Sequence, residues 1–169
     1  MFSGKTEELI RRVKRAMYAR QRVQAFKPRI DDRYDASSIV THAAAEEGDK
    51  TGVLEALAVA TSESLESRVD DETHIVDVAQ RLADRGVRVL VAGLDQDYLG
   101  RPFHPMPELM AVAEQVTKVH AVCTVCGDTA SRSQRLVAEG PTVLVGGSES
   151  YEARCRACFE PRDVTRTPE

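Results

Sequence analysis

Two short cysteine pairs constrain this chain more than any other feature. Cys123-Thr-Val-Cys126 and Cys155-Arg-Ala-Cys158 stand 28 residues apart and hold all four cysteines. Two thiolates three residues apart can grip one face of a tetrahedral ion, and a second such knuckle closes the other face. Gly127, directly after the first pair, suits the tight turn a knuckle needs. Sulfur at all four positions leaves no place for water, so the predicted site holds structural zinc and not a catalytic metal. Two alternatives stand beside it. Disulfides belong to oxidising compartments, and a redox C-x-x-C does not explain a second copy.

The bulk of the chain narrows the class. At 169 residues it is long enough for one domain with a small appendage. Apolar residues make up 42% and charged ones 30%, ordinary values for a globular protein, and no apolar run approaches the roughly 18 residues of a membrane span. Charges within the first ten residues do not fit a signal peptide, so a cytoplasmic location is expected, with no membrane partner. A net charge of −4 argues against a nucleic-acid coat. The rival reading, a zinc-ribbon interaction module, needs clustered bases and aromatics near the cysteines. Only Arg132, Arg135, Arg154 and Arg156 are there, with acids interleaved.

Periodicity organises the rest. Leu9, Val13, Ala16 and Met17 predict a helix over 5–20, its many bases forming a solvated face. "RVQAFKP" reads as a strand stopped by Pro28, "RIDDRYDASS" as a loop, "SIVTH" and "LEALAVAT" as short strands, and "ESLESRV" as a short helix. In "HIVDVAQRLADRG", Ile75, Val78, Ala79 and Leu82 share a face, and Gly86 stands where a glycine ends a helix. "VRVLVAGLD" reads as a strand buried on both faces of a parallel sheet. "MPELMAVAEQV" predicts another helix, "KVHAVC" and "TVLVGG" further strands, and "EPRDVTRTPE" a frayed tail. Strands alternating with helices predict a layered α/β domain. The expected boundaries are 1–120 for the α/β domain, 121–160 for the zinc lobe and 161–169 for the tail.

Near the start, Ser3-Gly4-Lys5-Thr6 has the ending of the phosphate-binding pattern G-x-x-x-x-G-K-[ST]. Backbone N–H groups at a helix start lack intrahelical partners and point outward beside the positive end of the helix dipole. Gly4 lets the backbone approach phosphate oxygens, Lys5 reaches the β- and γ-phosphates, and Thr6 offers a hydroxyl to Mg²⁺. G-K-[ST] alone is a weak signal; ahead of a helix and with matching segments elsewhere, it becomes strong.

Those segments are "AFKPRIDDRY", "VAGLDQDYLGRPFHPMPELMAVAEQVTKVHAVCTVCG" and "LVGGSESYEARCRACF". Together, in this order, they resemble the type II thymidine kinases, over most of residues 1–35 and 74–160. The resemblance implies a P-loop NTPase-like α/β fold, a parallel sheet with helices on both faces plus a small zinc-ribbon-like lobe. It implies an ATP- and Mg²⁺-dependent phosphorylation of the 5′-hydroxyl of thymidine or deoxyuridine. It also implies a cytosolic homotetramer inhibited by thymidine triphosphate, with no nucleic-acid partner. Carried over by position, Ser3, Gly4, Lys5 and Thr6 hold the ATP phosphates, with Arg33 nearby. Met1 lines the nucleoside pocket, Asp95 ends a strand facing the site, and Tyr98 and Phe103 are its aromatic neighbours. Val143, Gly146, Gly147 and Tyr151 belong to a lasso loop over the nucleoside, anchored by the zinc lobe at Cys126 and Cys155. For Tyr98, Phe103 and Tyr151 core packing is the simpler alternative, and Arg33 could be a surface arginine. His42, His74, His104 and His120 show no ligand spacing.

The departures from the family are equally specific. The family reads G-P-M-F-S-G-K-T after a strand, so this chain is expected to begin inside the loop. The family also has an apolar strand ending in D-E-[AGN]-Q-F-F, whose glutamate is the general base. Here only "VDDETH" stands in that place. Asp70, Asp71 and Glu72 suit the cap of the next helix; Glu72 is the weak candidate for a replacement base. A catalytically impaired relic that binds nucleotide without turnover is therefore the alternative function.

Overall fold

The computed structural model describes residues 2–28, 37–41, 44, 53–59, 75–137 and 144–161. Residues 29–36 of the expected loop "RIDDRYDASS", the helix "ESLESRV" and the tail beyond residue 161 lie outside the described residues. The chain forms two compact units. One runs from Lys5 to Ala92; the other begins at Gly93 and includes the first residues up to Gly4.

In the first of these units, α1 spans Lys5–Tyr18. Ile10 and Val13 are its buried residues, while Met17, expected on the same face, is more than half exposed. Glu7 and Glu8 lie in the first turn, where acids oppose the dipole's positive end. Glu8 also accepts hydrogen bonds from Arg11 and Arg12, both at 2.7 Å, and these hold its carboxyl down at about 2. The helix ends with the Arg20 N–H on Met17 O and the Gln21 N–H on Ala16 O. That pattern is a Schellman motif, and it puts Arg20 at φ 58. A left-handed backbone at a residue with a Cβ costs about 1–2 kcal/mol. Arg20→Gly should therefore raise stability by about 0.5–1 kcal/mol, read as a higher midpoint in urea.

Four strands follow: β1 (Phe26–Pro28), β2 (Ser38–Val40), β3 (Val53–Glu55) and β4 (Leu57–Val59). The segment read as one strand, "LEALAVAT", is divided at Ala56, whose N–H donates to Ser37 O at 2.8 Å. Its first half pairs antiparallel with β2, and its second half pairs parallel with β1. Lys27 on β1 is buried and donates from Nζ to Ser38 O at 3.1 Å. A buried ammonium group needs such a partner.

The second helix of the unit, α2, spans Ile75–Asp84. Gly86 has φ 77, the Gly86 N–H meets Ala83 O, and the Val87 N–H meets Leu82 O. The glycine stop read from the sequence is thus a full Schellman motif. Val78 is the buried residue of the face read from periodicity.

"VRVLVAGLD" departs from expectation. Residues 87–95 form no strand among the described residues, and Val87 and Val91 are nearly half exposed. A strand of a parallel sheet is fixed by its neighbours more than by its own preference. None pairs with this segment among the described residues, whose one parallel pairing is β1 with β4.

In the unit that starts at Gly93, residues 95–103 fold back on themselves through a bridge between Gln96 and Pro102. Asp97 Oδ1 accepts the Leu99 and Arg101 N–H groups at 2.9 and 2.8 Å and fixes the turn. The third helix, α3, spans Met106–Val112 and is shorter than the sequence predicts. Leu109 is its one buried residue, and Val112 and Val116 are over 40% exposed. Helices owe most of their stability to a packed face, so an unpacked continuation stops. Beyond it lie β5 (Ala121–Val122), β6 (Thr129–Ala130), β7 (Arg132–Arg135) and β8 (Tyr151–Arg154). β5 pairs antiparallel with β6, and β7 with β8. Leu144–Gly147, the described part of the expected strand "TVLVGG", is not in a strand.

Candidate functional site

The knuckles form as their spacing requires. The Cys123 N–H donates to Asp128 O at 2.8 Å and the Gly127 N–H to Cys123 O at 3.0 Å, with Gly127 at φ 78. The hairpin β5–β6 carries the first pair, and the end of β8 carries the second. The Thr124 N–H reaches Ala153 O at 3.0 Å and ties the two together. The four sulfurs lie within 4.8 Å of one another. Ligands about 2.3 Å from a tetrahedral ion lie about 3.8 Å apart, so the cluster fits zinc. No disulfide links the four cysteines, and the Cys126 and Cys155 sulfurs stand 3.6 Å apart, well beyond a sulfur–sulfur bond.

Electrostatics favour loading of this cluster. Burial works to raise the Cys123 thiol, but backbone N–H groups of Cys155, Cys126 and Val125 outweigh it and bring the thiol down to about 6. Cys158, facing the Cys155 and Cys126 sulfurs, is pushed up to about 12. One ready thiolate beside three crowded sulfurs is a cluster that a divalent cation relieves. Around it, Ala121, Cys123, Ala130, Ala153 and Cys155 form a small core, with Phe2 packed against it.

The aromatic residues singled out in the sequence lie in the same unit as the cysteines. Tyr98 is 4% exposed, with the Arg135 guanidinium 5.0 Å from its ring centroid. Its hydroxyl has no hydrogen-bond partner among the described residues. Phe103 is half-buried and donates its N–H to Asp95 O at 3.0 Å. The Asp95 carboxylate itself is paired with Lys118 Nζ at 2.6 Å. Tyr151 on β8 is buried, stands opposite Arg135 on β7, and donates its hydroxyl to Leu144 O at 2.9 Å. Burial pushes its phenol up, with the Arg135 charge opposing and Tyr98 adding to it.

The segment 144–151 is therefore a closed loop. The Tyr151 N–H meets Gly147 O at 3.0 Å, and the Gly147 N–H meets Glu149 Oε1 at 2.6 Å. A Cβ on Gly146 would stand 2.5 Å from Ser150 Oγ, which explains glycine there. At the other end of the chain, Ser3 and Gly4 form a bend with Gly4 at φ 74, and α1 begins at Lys5 with Thr6 in its first turn. Met1, Arg33, Glu72 and Val143 lie outside the described residues.

Sequence reasoning passed over β7. Arg132, Gln134 and Arg135 are all engaged: Gln134 is buried and exchanges two hydrogen bonds with the Glu160 backbone, at 2.8 and 2.9 Å. Four polar side chains in "RSQR" gave no apolar alternation to read. In β8, however, Tyr151 and Ala153 alternate with Glu152 and Arg154, a period of two that was available.

The family model described as thymidine kinase matches residues 1–159. A thymidine kinase of Rhodothermus sp. (strain ITI 518) is 51% identical over 173 residues, covering 99% of this chain and 81% of that protein. One from Roseiflexus sp. (strain RS-1) is 50% identical over 179 residues, covering 95% of this chain and 91% of that protein. One from Bdellovibrio bacteriovorus is 51% identical over 174 residues, covering 95% of this chain and 82% of that protein. Each alignment is longer than the 169 residues of this chain, so each relative carries positions with no counterpart here. Matched over nearly its whole length by the family model and by relatives at half identity, the chain belongs to the thymidine kinase family.

Proposed function

We propose that this chain transfers the γ-phosphoryl group of ATP to the 5′-hydroxyl of thymidine or deoxyuridine. The observation that carries the reading is the family match over residues 1–159. The nucleoside oxygen attacks the γ-phosphorus and gives up its proton to water, the bond to the β-phosphate oxygen breaks, and ADP leaves with that electron pair. Mg²⁺ bound with ATP would supply charge neutralisation at the phosphates, and Thr6 would offer it a hydroxyl. The chain's own part is positioning. The Ser3–Thr6 backbone at the start of α1 cradles phosphate, Lys5 adds a charge there, and Arg33 stands by. Tyr98, Phe103 and Tyr151, with Met1, Val143, Gly146 and Gly147, enclose the nucleoside. The zinc lobe holds the loop that carries Tyr151, which lowers the cost of ordering it around a ligand.

Steady-state assay of zinc-loaded protein with ATP, Mg²⁺ and thymidine tests this reading, and absence of turnover would overturn it. In that assay Tyr151→Phe, which removes the bond to Leu144 O, should raise the KM for thymidine roughly fivefold with kcat little changed. A second reading is favoured by "VDDETH" standing where the family carries D-E-x-Q-F-F. In that reading the chain binds nucleoside and nucleotide without turnover, and calorimetry would find binding where the assay finds none. Thymidine triphosphate as an end-product inhibitor and a homotetramer complete the proposal. Among the described residues no helix is long and apolar enough to cross a membrane.

A further inference from the structure

Arg132 occupies an unexpected position. In the β7–β8 ladder it stands directly opposite Arg154. Like charges facing each other across a ladder are destabilising. Arg154 resolves its side of the conflict locally, by pairing with Glu152 and donating to Cys158 O. Arg132 turns the other way. Its Nη1 donates to Gln96 Oε1 and to Gly100 O at 3.3 Å, inside the turn that carries Tyr98. Its guanidinium also lies 5.7 Å from the centroid of the Phe159 ring, the residue immediately after the last cysteine. Gly100 accommodates it: with φ 76 and a Cβ that would lie 2.9 Å from Nη1, no other residue fits there without moving the arginine.

We propose that Arg132 couples the metal cluster to the turn at Gln96–Gly100, acting as a positioning residue that transmits occupancy of the cysteine site to the placement of Tyr98. The inference rests on the proposed function and deepens it. The physical content is simple. A planar fork is bound to one loop and stacked on the residue that follows a metal ligand, so a shift of Phe159 bears directly on the fork. If metal holds Phe159 in place, the fork stays engaged and the Tyr98 turn is preformed for its ligand. Linkage then requires the reverse: a nucleoside that needs the engaged turn must also retain the metal.

The test follows zinc release from native protein into a chromogenic chelator, with and without saturating thymidine. In the wild type thymidine slows release about fivefold or more. In Arg132→Ala that protection is lost, and the KM for thymidine rises about tenfold while the KM for ATP and the zinc content of one per chain stay unchanged. Gly100→Ala, which displaces the same guanidinium from the other side, behaves alike, and Arg132→Lys keeps part of the protection. Equal protection in the wild type and both displaced variants would overturn the coupling while leaving the kinase reading intact. Wild-type protein that binds no thymidine would overturn the kinase reading and this inference with it. If Arg132→Ala does not load zinc, Gly100→Ala and Arg132→Lys decide by the same readout.

Discussion

Removing zinc, or replacing Cys155 by serine, will unfold the region from residue 121 to residue 159 and abolish thymidine phosphorylation. The reason lies in what is buried there. The core of the lobe consists of three alanines and two cysteines, with Phe2 and Cys158 partly covered against it. Alanine and cysteine side chains bury too little apolar area to offset the entropy of ordering the strands around them. Structural zinc contributes about 10–16 kcal/mol of apparent binding energy in small zinc domains at neutral pH, and that is folding energy. Chelation should therefore lower the melting temperature by more than about 10 °C. It should also erase hydrogen-exchange protection in β5–β8. Acid should act in the same direction. The depressed thiol of Cys123 favours the folded knuckle at high pH, and that contribution is lost as pH falls through about 6, where protons compete with the metal. A melting curve indifferent to chelator would remove the metal from the account of this fold.

Replacing Lys5 by methionine should leave the fold unchanged and lower kcat about a thousandfold, the scale on which one positioned donor at a developing charge acts. Lysine and methionine have similar helix preferences, and Lys5 is the first residue of α1, so the substitution tests charge and not structure. The KM for thymidine should move little, because the nucleoside is held by other residues. Rapid-quench assay of turnover, beside an unchanged melting curve, makes the measurement. Full activity in the variant would separate the start of α1 from the phosphates.

Where the sequence could be read, local chemistry was decisive. The start of α1 follows from Gly4, and the end of α2 from Gly86. The knuckles follow from spacing and Gly127, and their sulfurs do converge. Where structure depends on distant partners, reading failed. "VRVLVAGLD" has the composition of a central strand, yet pairs with nothing among the described residues. "RSQR" has the composition of a loop, yet forms β7, because Arg135 stacks on Tyr98 and Gln134 bonds the backbone at Glu160. The aromatic residues could be placed only by resemblance to a family. The arginines that hold them were visible only once β7 stood beside β8.

Gln134 has one more consequence. Its carboxamide offers an N–H and a C=O to the peptide at Glu160, as a neighbouring strand would. A side chain here does the work of a missing backbone partner, and it does so past the final sulfur. The lobe is thus buttoned from outside the metal's own span, and its stable edge lies one residue beyond the stretch that the family holds in common.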